Sequence, residues 1–267
     1  MRILLFLIFI TSVYSNTFDP ADVFENALLT YVNKSVCPCE NFYRHACSFD
    51  SPRNLMATAL KNLTYELRQK QADLFWNHIT LVLGFTGFSV GHEIGHSFFA
   101  NHSGTDILPY FSENVEKCVQ NQFNSTCNEY KEESCVTRNE MLDDNGADIF
   151  GLQLAYKLME KYLSGRLEER IERLNVTQEQ LFFYSFANQF CSGSLSKVFI
   201  EEEGDYDPHS VNNVRVNAVA QHPGFRKAFN CPDNSRMMKS ATEQCIIYGE
   251  NAPETRKRKK FQDNLRK

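Results

Sequence analysis

The chain has 267 residues, is 42% hydrophobic and 23% charged, and carries a formal net charge of −5. That is enough chain for one real core or two small domains, and it is too apolar for a disordered polymer. Its net acidity argues against a general nucleic-acid binder. The acidity is uneven, because the last 17 residues carry seven basic and two acidic side chains.

The N-terminus reads as a secretory signal peptide over residues 1–15. Arg2 is a minimal basic start, Ile3 to Ile10 is an eight-residue apolar run, and Val13-Tyr14-Ser15 offers small residues at positions −3 and −1 of a cleavage site. Eight residues fall far short of the ~20 needed to span a bilayer, and no later stretch is long and apolar enough. Secretion agrees with five Asn-x-Ser/Thr sequons, at Asn33, Asn62, Asn101, Asn124 and Asn175, where N-glycans are expected. It also agrees with nine cysteines, which in an oxidising compartment read as disulfides with one left over.

Residues 16–60 form a cysteine-rich segment with Cys37, Cys39 and Cys47. Ala59 to Trp76 is helix-compatible, with Leu60, Leu63, Leu67 and Leu74 on one face. Ile79 to Ala100 reads as a buried helix that contains Gly84, Gly87, Gly91 and Gly95. Those glycines weaken a helix but let a neighbour or ligand approach closely. Asn101 to Leu108 is a polar loop, and Val115 to Tyr130 is helix-like. Asp144 to Leu163 is a strong amphipathic helix, with Ile149, Leu152, Tyr156 and Met159 spaced for burial. Glu168 to Leu174 reads as a charged helix. Another helix opens after Asn175, where Thr177 and Gln180 have the spacing of a capping box. Phe182 to Phe190 is core, Asp205 to His209 is a loop, and Val211 to Phe229 is a run of short elements. The polar, basic tail at 251–267 reads as disordered.

The sharpest signal is Gly91-His92-Glu93-Ile94-Gly95-His96. Histidines at i and i+4 share one helix face, so both imidazoles can hold one Zn²⁺ at about 2.0–2.1 Å. Glu93 follows the first ligand and can pass a proton from the attacking water to a leaving amine. A catalytic zinc needs a third protein ligand, and the source is the stretch from Asn139 to Asp148.

These motifs resemble those of the neprilysin and endothelin-converting-enzyme family of zinc peptidases. The family's Gly-His-Glu-x-x-His-x-Phe is matched by Gly91 to Phe98. Its Glu-Asn-x-Ala-Asp-x-x-Gly-Leu-x-x-Ala-Tyr aligns without a gap to Asp144 through Tyr156. Its Phe-Phe-x-x-Phe-Ala-x-x-x-Cys is similar to Phe182 through Cys191, and its His-Ser-(four residues)-Arg to His209, Ser210 and Arg215. Its Phe-x-Cys-Pro…Cys resembles Phe229 to Pro232 with Cys245, and its first ectodomain motif resembles Pro38 to Cys47.

The resemblance implies a mainly α fold with a small β component, the thermolysin-like zinc peptidase catalytic domain, over about residues 70–250. Residues 16–60 would be strapped onto it by disulfides. It implies one zinc per chain on His92, His96 and Asp144, where the family has Glu in place of Asp144. Asp is shorter by one methylene, about 1.5 Å of reach; Glu140, one turn earlier, is the alternative ligand. Glu93 would be the base, and Asp148 the carboxylate behind His92 or His96. His209 would stabilise an oxyanion, and Arg215 would hold a substrate carbonyl. The implied disulfides are Cys39–Cys231, Cys47–Cys191, Cys118–Cys245 and Cys127–Cys135, which leaves Cys37 odd. Cys47 and His92 are 45 residues apart, so most of the family's helical lobe is missing between them and this is a shortened member. The implied function is a secreted zinc metalloendopeptidase acting on peptide substrates, weak and poorly selective. The alternative is a catalytically inactive secreted relative that binds peptides or a protein partner.

Overall fold

The computed structural model describes residues 29, 32–47, 79–99, 113–133, 135, 141–172, 174–191 and 209–247. The signal sequence, the Ala59 to Trp76 helix, the Asn101 to Leu108 loop and the basic tail lie outside them. So do Glu140 and the sequons at Asn62 and Asn101.

The elements run α1 (Phe42–Ala46), a π-helical turn (Leu83–Gly87), α2 (Phe88–Phe99), α3 (Glu113–Glu129) and α4 (Leu142–Tyr162). They continue with β1 (Arg170–Ile171), β2 (Val176–Thr177), α5 (Gln178–Asn188), α6 (Asn212–Asn217), α7 (Pro223–Phe229) and α8 (Arg236–Ser240). The fold is mainly helical, with one antiparallel two-stranded ladder among the described residues. No helix among the described residues is long and apolar enough to cross a membrane.

Glu168 to Leu174 is not the charged helix that its composition suggests. Arg170–Ile171 pairs with Val176–Thr177, and the chain reverses at Asn175, which sits at φ 59° in the left-handed region. Asn tolerates that conformation better than most residues, because its short amide bonds locally; here its Oδ1 accepts from Arg170 Nε at 2.9 Å. The hairpin delivers Thr177 to the start of α5. There its hydroxyl accepts from Gln180 N–H at 3.1 Å, and Gln180 Oε1 accepts from Thr177 N–H at 3.0 Å. This is the expected capping box, and it satisfies two backbone donors reciprocally.

The larger core is aromatic. Phe182, Phe183 and Phe186 of α5 share one buried cluster with Phe42 of α1 and Phe225 of α7, and the Phe183 ring lies 5.5 Å from Phe225. The Phe42 ring lies 4.8 Å from Phe225 and 5.1 Å from Phe229. A second cluster fills the space beside α3 and α4 with Val119, Phe123, Ile149, Phe150 and Val214.

The segment around α1 is held by polar contacts as well as packing. Tyr43 N–H donates to Asn217 Oδ1 at 2.8 Å. His45 Nδ1 lies 2.6 Å from the Val36 carbonyl, and its Nε2 lies 2.8 Å from the Tyr184 hydroxyl. With Nδ1–H donated to Val36, Nε2 is left to accept from Tyr184, so the neutral ring satisfies both partners.

The four disulfides are Cys39–Cys231, Cys47–Cys191, Cys118–Cys245 and Cys127–Cys135, with Cys37 free and exposed. All four agree with the pairing implied by the resemblance. Two of them tie the α1 region to later segments, Cys39 to Cys231 after α7 and Cys47 to Cys191 after α5.

Stability should fall in mild acid through His222, which is only 5% exposed. Burial depresses it from 6.5 to about 4. Its Nδ1 also accepts the Gly224 N–H at 3.2 Å at the start of α7, a bond that a proton on Nδ1 would break. Between those two values the unfolded chain binds a proton that the folded chain refuses. Stability is therefore lost as pH falls from 6.5 towards 4, by about 3 kcal/mol at the bottom. Urea melts of wild type and His222→Asn at pH 7 and pH 4 check this. Asn keeps an acceptor for Gly224 but does not titrate, so its loss over that interval should be smaller; equal losses would contradict the assignment.

Candidate metal centre

The site is built where α2 lies against α4 at nearly backbone contact. A Cβ placed on Gly91 would come within 2.9 Å of the Gly151 Cα, and one on Gly95 within 2.8 Å of the Ala147 Cα. Real Cβ atoms do not pack that closely, so only glycine at both positions lets the helices approach this far. The closeness sets His92 and His96 opposite the first turns of α4, which carry Asp143, Asp144 and Asp148. The outer face of α2 leaves Val90 and Ile94 exposed, so this helix is buried on one side rather than most.

His92 Nε2, His96 Nε2 and Asp144 Oδ1 converge. The two nitrogens are 3.1 Å apart, and Asp144 Oδ1 lies 3.6 Å from His92 Nε2 and 3.5 Å from His96 Nε2. A tetrahedral zinc with ligands at about 2.0–2.1 Å requires ligand-to-ligand distances of about 3.3–3.4 Å. The three donors fit that triangle, and two imidazoles with one carboxylate are a set that suits zinc. Among the described residues these three form the group able to hold a metal ion. Asp144 reaches both histidines from the first turn of α4.

Behind the donors, Asp148 Oδ1 lies 2.8 Å from His92 Nδ1, so it stands beside His92. Asp148 is clamped in turn by Arg215, whose Nε and Nη2 each donate to it at 2.7 Å. The guanidinium also stacks over the Phe190 ring at 4.6 Å. His209 Nε2 lies 3.0 Å from Asp144 Oδ1, the same oxygen that faces the two histidines. Ser210 donates to Asn145 at 2.7 Å and so secures the His209 segment to α4.

The charges are matched. Burial works against a charged His92 ring, but the Asp144 and Asp148 carboxylates outweigh it and push His92 up to about 9. Burial also opposes ionisation of Asp148, yet the Arg215 guanidinium and His92 hold it below the usual carboxylate range. Asp144 is buried too, and His209 and His92 hold it well below that range.

A cavity of about 390 Å³ opens beside this centre, lined by Phe88, His92, Glu93, Phe190, His209 and Arg215 among others. The sequence-derived residues Glu93, His209 and Arg215 thus line the same cavity as His92 of α2. Missed in the sequence were Phe88, Ser89, Gln189 and Phe190 on the cavity wall. Asp143, at 3.3 Å from His96 Nδ1, was missed as well. The family motif begins one residue after Asp143 and carries no signal for it.

A helix-borne His-Glu-x-x-His pair facing a carboxylate from a second helix, in a mostly helical domain, is the thermolysin-like zinc peptidase arrangement. The chain belongs to peptidase family M13, whose family model matches residues 62–245. It is 32% identical over 182 residues to membrane metallo-endopeptidase-like 1 of Mus musculus, covering 63% of this chain and 23% of that one. It is 29% identical over 179 residues to endothelin-converting enzyme 1 of Cavia porcellus, covering 63% and 23%. With neprilysin of Homo sapiens it is 27% identical over 182 residues, covering 63% and 24%. The matched region thus spans about a quarter of the length of these relatives.

Proposed function

We propose that the protein is a secreted zinc metalloendopeptidase that hydrolyses peptide bonds, with zinc held by His92, His96 and Asp144. The observation that carries this reading is the triangle of three donor atoms at zinc-ligand spacing beside a cavity that Glu93 lines. Zinc bound there supplies Lewis-acid polarisation of a peptide carbonyl and lowers the pKa of water. Glu93 takes a proton from the attacking water as the C–O bond forms, and delivers it to the amine as the C–N bond breaks. His209 steadies the Asp144 carboxylate and faces the cavity where negative charge develops on the carbonyl oxygen. Arg215 keeps Asp148 behind His92, and its guanidinium borders the space that a substrate would enter. Four disulfides and the apolar leader support export through an oxidising compartment, where the sequons can be glycosylated.

Removal of the metal tests the reading. Cleavage of an unfolded protein should stop after dialysis against a chelator and return with added zinc. Zinc-loaded protein that binds peptides without cleaving them would favour the inactive, peptide-binding alternative.

A further inference from the structure

One carboxylate of the centre has no role in the reading above. Asp143 precedes the metal-facing Asp144 in the first turn of α4, and its Oδ1 is buried without a hydrogen-bond partner among the described residues. A buried carboxylate oxygen left unpaired is costly, so something must donate to it when the site is assembled. His96 Nδ1 lies 3.3 Å from that oxygen. On the other side of the same ring, His96 Nε2 faces Asp144 Oδ1 at 3.5 Å and His92 Nε2 at 3.1 Å. Two successive aspartates therefore address opposite nitrogens of one imidazole.

We propose that Asp143 is the positioning residue of His96: its Oδ1 accepts the Nδ1–H and so fixes the tautomer whose Nε2 lone pair faces the cation. A neutral imidazole carries one proton, and holding it on Nδ1 leaves Nε2 free to ligate. Asp148 Oδ1 stands in the same relation to His92 Nδ1, at 2.8 Å. Each metal-facing histidine then has its own carboxylate, both supplied by α4. Such partners set ring orientation and raise ligand basicity. The proposal rests on the zinc reading and adds a residue to it.

The test is zinc affinity, measured by competition with a chromophoric chelator, in wild type, Asp143→Ala and Asp143→Asn. Asp143→Ala should bind zinc about 10–100-fold more weakly. Asp143→Asn keeps an oxygen that can accept the Nδ1–H and should recover most of that loss. A role limited to balancing charge at the start of α4 would predict equal effects, because both variants remove the charge. Imidazole proton–nitrogen correlation spectra of the zinc-loaded proteins give a second readout. The His96 Nδ1–H signal should be lost to exchange with water in Asp143→Ala, while that of His92 persists. Zinc binding in Asp143→Ala within about twofold of wild type, or Asp143→Asn as weak as Asp143→Ala, would overturn the role of Asp143 alone. Wild-type protein that takes up no zinc would overturn the metal centre itself, and this role with it.

Discussion

Glu93→Gln should keep its metal and lose peptide turnover by about 10²–10⁴-fold. Glu93 is exposed on α2 and is not one of the three converging donors, so exchanging its carboxylate for an amide leaves the triangle untouched. Gln fills the same volume and still accepts hydrogen bonds at its oxygen, but it cannot take a proton at neutral pH. The loss should fall on kcat more than on KM, because the proton moves only in the reaction step. Unchanged turnover would remove Glu93 as the base. Loss of zinc together with turnover would mean that Glu93 helps hold the metal.

Reduction should unfold the protein at 37 °C. Cys39–Cys231, Cys47–Cys191 and Cys118–Cys245 close separations of 192, 144 and 127 residues. Each such link contributes about 2–4 kcal/mol by restricting the unfolded chain. Domains of this size are stable by only about 5–15 kcal/mol, so losing three of them removes most of the margin. The short Cys127–Cys135 loop contributes least. Circular dichroism melts with and without a phosphine reductant check this; a reduced protein that melts within a few degrees of the oxidised one would show that the helical core suffices.

How much of this was legible in the sequence follows from what each feature depends on. His92 and His96 could be read because helical periodicity alone puts i and i+4 on one face. The capping box at Thr177 was equally local. The disulfides and Asp144 could not be derived from spacing and came only through resemblance, since pairing depends on where distant segments meet. Glu168 to Leu174 was misread because its charged residues suit a helix; the left-handed turn at Asn175 and the pairing across it decided the outcome. The glycines of α2 were recognised as permitting close approach, but not that α4 makes the approach at Gly91 and Gly95. The positions of Asp143 and the cavity wall depend on helix-to-helix distances that no local pattern encodes.

The most direct measurement is the zinc content of purified, disulfide-bonded protein, determined by atomic emission beside Asp144→Ala and His96→Ala. One zinc per wild-type chain, lost from both variants without loss of helical content, is the expected result. Folded wild-type protein without zinc, or full occupancy in Asp144→Ala, would contradict a centre built on His92, His96 and Asp144.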